Sequence, residues 1–292
     1  MSNLEIKYPA LYHAAGDASA QAQRTYLRLL VSEYLLLILA AILALDFSRS
    51  HVYFIVYAAV FLLALAALLT RSTQKPEQAW YKSRALAESI KTSTWRYMMR
   101  AEPFNDHAGQ QATAEFRNHL QSILKSNRHI GDRISSLHAN EDQVTPQMEE
   151  IRSLGLDQRR EVYRSLRVKE QRSWYARKAS GNRRAARNWV RAGVGVYCIA
   201  ALTVLVRIGY PDMSFSPTEP LIVMASSIIG WTQIKRFTEL ASAYTLTAHE
   251  IGIVVTSLDE ATDERSFSNV VNESELAFSR EHTQWVARQQ YQ

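Results

Sequence analysis

The chain has 292 residues, of which 47% are hydrophobic and 21% charged, and its formal net charge is +6. Ten glycines and seven prolines are few for this length, which favours long helices over many-turned β structure. The single cysteine, Cys198, excludes an intrachain disulfide and a metal site built from several cysteines. The composition therefore predicts an all-α protein, and we expect no cofactor or metal.

The first predicted feature is an apolar helical hairpin. Residues 1–17 lack a charged segment followed by an apolar core, so we expect no cleavable signal peptide there. A helix from Tyr8 leads into a first span at about residues 27–45, and a second span follows at about 52–69. The second run carries no charge and is roughly 27 Å long as a helix, close to the ~30 Å of a hydrocarbon core. These lengths predict a transmembrane hairpin.

Charged helical sequence fills residues 76–138 and completes the first predicted unit, 1–138. One helix follows a pause at Gln74–Pro76 and stops before Pro103, since proline disfavours helix in the preceding residue. A second helix is predicted at 107–138 from its apolar stripe. A linker with a short helix covers 139–156, where Thr145–Pro146 predicts the start of that helix and Gly155 its stop.

The second predicted unit, 157–292, repeats the plan of the first. Asp157 is expected to cap a long helix, with a possible flaw at 180–182, that enters a third span at about 189–208. A fourth span at about 219–236 continues as a helix to about residue 258, and a last helix covers 268–289. The apolar runs of this hairpin are shorter than the ~20 residues of a typical span. We therefore weigh two spans plus a soluble bundle against four spans, and favour four.

The fold class predicted is an all-α membrane protein with two parallel-repeated transmembrane hairpins and long cytosolic helical extensions. Basic residues crowd the segments flanking the spans, whereas the two hairpin loops are poor in them. This asymmetry predicts that both termini and the 71–187 region are cytoplasmic. The same basic collar can bind anionic membrane lipid, so we do not expect nucleic acid as a partner.

Polar residues inside the spans are the first candidate functional groups. A carboxylate in hydrocarbon costs about 2.5–3.5 kcal/mol at mid-span, so Glu33 is expected to face protein or water. The candidate pore or inter-subunit residues are Ser32, Glu33, Tyr34, Thr203, Ser226 and Ser227. The alternatives are that Glu33 pairs with Arg28 or Arg191 near the head groups and that the hydroxyl residues only pack helices. The chain has no Gly-rich phosphate loop and no HExxH motif, so an enzyme is not expected.

Several long stretches resemble the SLATT family of two-span helical proteins, which is linked to bacterial nucleotide-signalling conflict systems. In the first half these are PALYHAAGDASAQAQRTYLRLL (Pro9–Leu30) and RALAESIKTSTWRYMMRAEPF (Arg84–Phe104). In the second half they are QRSWYARKASGNRRAARNW (Gln171–Trp189), ELASAYTLTAHEI (Glu239–Ile251) and SREHTQWVARQQ (Ser279–Gln290). The two halves resemble different subfamilies, so the chain is similar to two fused SLATT units.

The resemblance implies a membrane effector that forms a pore or perturbs the membrane when a nucleotide second messenger or a cytosolic sensor protein signals infection. It assigns no catalytic residues. The candidate cytosolic sensing or assembly residues, which alternatively only pack the extensions together, are Glu88, Trp95, Arg96, Trp174, Tyr175, Tyr244, His249, Glu250, Arg280, Glu281, His282 and Trp285. A homo-oligomer is expected, because four helices of this size pack without a pore. The alternative function is a non-conducting membrane scaffold or regulatory anchor that recruits a cytosolic partner.

Overall fold

A computed structural model describes residues 6–105, 109–127, 131, 136–211 and 216–290 of the chain, and all regular structure in these ranges is helical. The helices are α1 (Ala10–Leu43), α2 (His51–Gln74), α3 (Pro76–Met98), α4 (Gly109–Ser126), α5 (Pro146–Ser153), α6 (Leu156–Tyr163), α7 (Lys169–Gly209), α8 (Thr218–Lys235), α9 (Phe237–Glu260) and α10 (Glu264–Gln290). A π-helical turn, Arg164–Val168, joins α6 to α7, and a 3₁₀ turn covers Ser136–His138. The predicted all-α class is confirmed.

The chain divides into two compact units, and each unit takes segments from both halves of the sequence. The polar unit comprises Met1–Arg24, Pro76–Trp174 and Thr247–Gln292. The spanning unit comprises Thr25–Lys75 and Tyr175–Leu246. Three helices, α1, α7 and α9, contribute residues to both units.

Three described helical stretches are long and apolar enough to cross a membrane: Ala10–Leu43, His51–Met98 and Leu156–Gly209. Large apolar side chains on them are exposed to an unusual degree, for example Val52 at 69% and Ile208 at 73%. Water-exposed apolar surface on this scale is unfavourable, whereas lipid covers it at no cost. The chain is therefore an all-α membrane protein. Helix α8 is only 18 residues long and is not among these three stretches.

Ser50 caps α2 by accepting a hydrogen bond from the Tyr53 amide. Two helix boundaries predicted from the sequence are confirmed. Lys75, in the left-handed region at φ 43°, ends α2, and Pro76 begins α3. Thr145 caps α5 by accepting from the Met148 amide, with Pro146 at the first helical position.

Four predicted details are wrong. The helix at 107–138 ends at Ser126, where Asn127 turns its amide side chain back to the Ile123 carbonyl. Gly155, not Asp157, is the N-cap of α6. Helix α7 is regular through residues 180–182, where Ser180 and Asn182 donate to the Arg177 and Lys178 carbonyls of the preceding turn. The irregular stretch is the π turn that precedes α7. The fourth span does not continue unbroken, since Arg236 at φ 48° separates α8 from α9.

The start of α1 is held in the polar unit by the segment before α5. The Ala10 amide donates to the Asp142 carbonyl at 3.0 Å, and the Thr145 hydroxyl donates to the Lys7 carbonyl at 2.9 Å. His138 lies between two carboxylates, 2.8 Å from Glu141 Oε1 and 3.1 Å from Asp17 Oδ2. These bonds tie the first turns of α1 to residues more than a hundred positions away.

The His138 contacts predict a pH dependence. Hydrogen bonds to Glu141 and Asp17 favour the imidazolium and raise the pKa of His138 above the ordinary 6.5. A raised folded-state pKa gives a stabilisation that is complete below 6.5 and is lost as the pH rises through the folded value. Asp17→Asn should lower the pKa of His138, read from its imidazole resonances in an NMR titration. An unchanged pKa in Asp17→Asn would contradict the assignment, and His249→Gln, at an exposed position on α9, serves as the control spectrum.

Candidate functional site

The centre of the polar unit is the packing of α10 against α3. Trp95 on α3 is fully buried, its indole Nε1 donates to the Tyr8 hydroxyl at 3.0 Å, and its ring lies edge-on to Tyr163 at 5.6 Å. Arg96, on the next position of α3, donates to the Asn272 carbonyl of α10 at 3.4 Å. The first half of the chain is thus packed against the second half inside one unit.

A buried ion pair lies in this packing layer. Arg167 of the π turn donates from Nε and Nη2 to both carboxylate oxygens of Glu275, at 2.8 and 2.6 Å, and both side chains are at most 1% exposed. The Tyr163 hydroxyl donates to the same carboxylate at 3.0 Å. Bidentate geometry and a third donor are what a charge pair needs to survive removal from water.

Burial and neighbouring charge set the protonation of this layer. Burial alone would lower the pKa of Arg167, but the Glu275 carboxylate more than offsets this and raises it, so the guanidinium stays charged. Burial, followed by the Glu275 charge, raises the pKa of Tyr163, so the phenol stays neutral and donates. Burial, followed by the Arg167 charge, lowers the pKa of Lys91, whose ammonium lies 5.8 Å from the Tyr8 ring centroid.

A second set of arginines closes the carboxyl end of α3. Arg152 donates to the Tyr97 and Phe104 carbonyls, and Arg159, which is 0% exposed, donates to the Met99 and Leu154 carbonyls. Arg159 also pairs with Glu264 at the start of α10. Carbonyls at a helix C-terminus lack intrahelical partners and carry partial negative charge, so guanidinium groups stabilise them. This set positions α5, α6 and α10 around one helix end.

An open cleft of about 1520 Å³ lies beside that helix end. Its walls come from the C-terminal end of α3 and the following turn, the first turns of α4 and α10, and α5. All the described lining residues carry a polar group, and they include four arginines: Arg100, Arg117, Arg152 and Arg265. Three carboxylates also line it: Glu102, Glu149 and Glu264. A cleft with this lining suits a polar ligand with negative charge rather than an apolar one.

One serine–histidine pair lies within hydrogen-bond distance in the polar unit. Ser93 Oγ lies 3.0 Å from His119 Nε2, but the serine is 6% exposed and its hydroxyl donates to the Ser89 carbonyl at 2.9 Å. Because the Ser93 hydroxyl proton is used in the bond to Ser89, the His119 Nε2–H group is the donor to Ser93 Oγ. Burial, then the Arg96 charge, lowers the pKa of His119. The pair therefore packs α4 on α3 and does not have the form of an activated nucleophile.

In the spanning unit, Glu33 pairs with Arg71. The Glu33 Oε2 atom accepts from Arg71 Nη2 at 3.0 Å and from Nε at 3.2 Å, which joins α1 to α2. Neither Arg28 nor Arg191, the partners considered from the sequence, is its partner. The pair is partly buried between two apolar helices.

The other predicted span residues are distributed over several contacts. The Tyr34 hydroxyl lies against Gly230 of α8, where an added Cβ would be 2.5 Å away, so only glycine allows this approach. Thr203 donates to the Ala200 carbonyl and lies 3.4 Å from Thr218, and Ser227 donates to the Val223 carbonyl. Ser32 and Ser226 are exposed. The structure brings Glu33 to a charged partner and does not gather the six residues into one cluster.

The residues predicted to form a cytosolic sensing or assembly surface also lie in several different places. Trp95 and Arg96 lie in the α3–α10 layer, and Glu88 is half-buried on α3. Tyr175 packs on Tyr244 with ring centroids 5.6 Å apart, in the spanning unit. Trp174 is half-buried, whereas His249 and Glu250 are exposed. The side chains of Arg280, Glu281, His282 and Trp285 lie outside the described part of the structure.

The residues that sequence reasoning missed are the buried charges Arg152, Arg159, Arg167 and Glu275, and the cleft. One signal was available for Glu275: it falls among Phe267, Val271 and Phe278 at helical core spacing on α10. A charge at a core position requires a buried partner. Periodicity could not name Arg167, which is 108 residues away in the sequence.

Comparison with protein families decides the relationship. SMODS and SLOG-associating 2TM effector domain 3 matches residues 9–160, and domain 1 of the same series matches residues 163–285. The chain belongs to the SLATT family. Its two SLATT domains are of different subfamilies fused in tandem, as the sequence predicted. Neither a curated protein nor a solved structure shows significant similarity to this chain.

Some buried contacts of the polar unit join one SLATT domain to the other. The boundary between the two SLATT domains falls within α6, and the Arg159–Glu264 pair joins the first domain to the second. Trp95 in the first domain contacts Tyr163 at the start of the second. The polar parts of the two SLATT domains are therefore folded as one structure.

Proposed function

We propose that this chain is a membrane effector of antiphage or conflict defence, which forms or gates a pore, or perturbs the inner membrane, on a nucleotide or partner signal and causes abortive infection. The observation that carries the proposal is the tandem match to two effector domains, each described as having two transmembrane segments. Two such domains favour four spans, with α8 as the fourth. The basic flanks of the spans support cytoplasmic termini.

The proposed mechanism is a shift between closed and open packings of a homo-oligomer in lipid. A ligand or sensor protein drives the shift by binding the polar helices of one state more tightly than those of the other. Helices α1, α7 and α9 supply residues to both units, which gives the signal a covalent route to the spans. The protein is proposed to act without catalysis, because effector domains of this kind work at the membrane.

The first experiment is the membrane potential of bacteria that express the chain at controlled levels, read with a voltage-sensitive dye. Cells with verified membrane insertion are compared with and without the partner encoded beside the gene. Depolarisation that depends on the partner would support a gated pore. An unchanged potential under co-expression would favour the scaffold, which recruits a cytosolic partner without conducting.

A substitution at Glu33 distinguishes a conducting pore from a non-conducting scaffold. Glu33→Leu removes the only acceptor described for Arg71 and is expected to abolish depolarisation while the protein still inserts and assembles, because the charged pair is proposed to line or gate the path. Leu35→Ala, at a position that is 61% exposed two residues later on α1, is the control and should depolarise normally. Dye response and crosslinked oligomer are measured together. Full depolarisation by Glu33→Leu would argue against a role of this residue in conduction.

A further inference from the structure

The polar cleft holds cations that the fold itself does not use. The guanidinium of Arg152 is bound to the Tyr97 and Phe104 carbonyls, and Arg100 uses its Nε on the Arg152 carbonyl at 2.9 Å. Within the described ranges, Arg117 and Arg265 have neither an ion-pair nor a hydrogen-bond partner for their guanidinium groups. Each guanidinium presents a rigid fork of donors that suits phosphate oxygens, and both of these arginines line the same cleft.

The carboxylates of the cleft do not neutralise these cations. Glu264 pairs with the buried Arg159, which leaves Glu102 and Glu149 as the carboxylates directed to the cleft without a described partner. A carboxylate accepts hydrogen bonds from hydroxyl or amino groups. The lining therefore combines donors for an anion with acceptors for a neutral polar group on the same ligand.

Ser268 adds an independent observation. Its side chain is 4% exposed and lines the cleft, yet its Oγ atom has no hydrogen-bond partner among the described residues. A buried hydroxyl is normally paired with a protein group or an ordered water, so the Ser268 hydroxyl is available to a molecule that enters the cleft. The first turns of α4 and α10 also line the cleft, and helix N-termini favour negative charge.

We infer that this cleft is a binding site for a soluble small molecule that carries several phosphate groups together with hydroxyl or amino groups. Arg117 and Arg265 bind the phosphate oxygens, the Ser268 hydroxyl donates to the ligand, and Glu102 and Glu149 accept from its hydroxyl or amino groups. The volume of about 1520 Å³ exceeds the roughly 300–1,000 Å³ of common ligand pockets, which favours a ligand larger than inorganic phosphate. The inference rests on the proposed function in assigning to this site the signal that drives the membrane change.

Binding is tested on the purified full chain in nanodiscs of phosphatidylcholine, by calorimetry and by the shift in thermal midpoint. The probes are inorganic tripolyphosphate, ATP and, as an uncharged comparison, adenosine. We expect tripolyphosphate and ATP to bind and adenosine not to bind. The double variant Arg117→Gln/Arg265→Gln should weaken binding at least tenfold. Arg184→Gln/Arg187→Gln, two exposed cations on α7, is the matched control and should bind as the wild type does.

A second arm separates a soluble ligand from a lipid head group. Short-chain phosphatidylglycerol replaces the soluble probes; its binding at this site, without binding of tripolyphosphate or ATP, would overturn the assignment to a soluble ligand. Equal binding of tripolyphosphate by both double variants would overturn the site itself. Arg117 and Arg265 are exposed, so an unchanged thermal midpoint without ligand shows that the variant is folded. If Arg117→Gln/Arg265→Gln no longer binds tripolyphosphate or ATP but still depolarises cells, the cleft does not receive the activating signal. The proposed membrane function would not be affected by that result.

Discussion

Glu275→Gln should destabilise the polar unit by about 3–5 kcal/mol, because it leaves the Arg167 guanidinium charged, buried and without its counter-ion. Among the described residues, the Nη1 atom of Arg167 has no hydrogen-bond partner, so the variant would leave more of this guanidinium unpaired. Tyr163 would also lose a charged acceptor for its hydroxyl. The measurement is the thermal or denaturant unfolding of the full chain in detergent, followed by circular dichroism.

Two variants make this prediction specific. Glu273→Gln removes the same charge from an exposed position two residues earlier on α10, and it should change stability by less than about 0.5 kcal/mol. The double variant Arg167→Met/Glu275→Leu removes both charges and should recover most of the loss, since apolar replacement of a whole buried pair is often neutral. If Glu275→Gln is no less stable than Glu273→Gln, the buried pair does not hold the unit together.

Trp95→Ala should lower the free energy of unfolding by about 3–5 kcal/mol, because it removes a fully buried indole on α3 that packs against Tyr8 and Tyr163. The sequence left two interpretations of Trp95 open, a sensing surface and a packing residue. Complete burial favours packing. We therefore expect Trp95→Ala to lower the unfolding midpoint and the amount of inserted protein together, measured by membrane fractionation and thermal melting.

Tyr8→Phe is the matched control for Trp95. It removes the acceptor of the indole hydrogen bond but keeps the ring, so it should lower the free energy of unfolding by only about 0.5–1.5 kcal/mol. Burial raises the pKa of the Tyr8 hydroxyl, which keeps it neutral across the working pH range. A stable Trp95→Ala protein that inserts normally but fails to depolarise cells would instead place Trp95 at a sensing surface.

The long helices could be predicted from sequence because their signals are local. The uncharged run at 52–69 and Pro76 define α2 and the start of α3 without reference to the rest of the fold. Arg236 shows the limit of this reasoning: arginine gives no warning of a left-handed residue, so the break between α8 and α9 was not foreseen. The 3₁₀ turn at 136–138 was also not predicted, because apolar residues continue at helical spacing past Ser126 and favour one unbroken helix.

The candidate site was less predictable because its partners are distant in sequence. Helical spacing places Glu275 on the core face of α10 but does not identify Arg167 or Tyr163 as its neighbours. Glu33 was recognised as unusual from its apolar surroundings, yet Arg71 was missed as its partner since 38 residues separate them. The cleft is assembled from α3, α4, α5 and α10, and only the folded chain brings its arginines together.

Ion flux through vesicles that contain only the purified full chain tests the central claim most directly. Phosphatidylcholine–phosphatidylglycerol liposomes loaded with potassium are followed with an ion-sensitive electrode. A gated pore has an open state populated at roughly 0.1–10% without its signal, so we expect slow potassium release that rises more steeply than linearly with protein density and is lost in Glu33→Leu. Release equal to that of protein-free vesicles, at verified insertion and at every density, would contradict a conducting effector and support the scaffold.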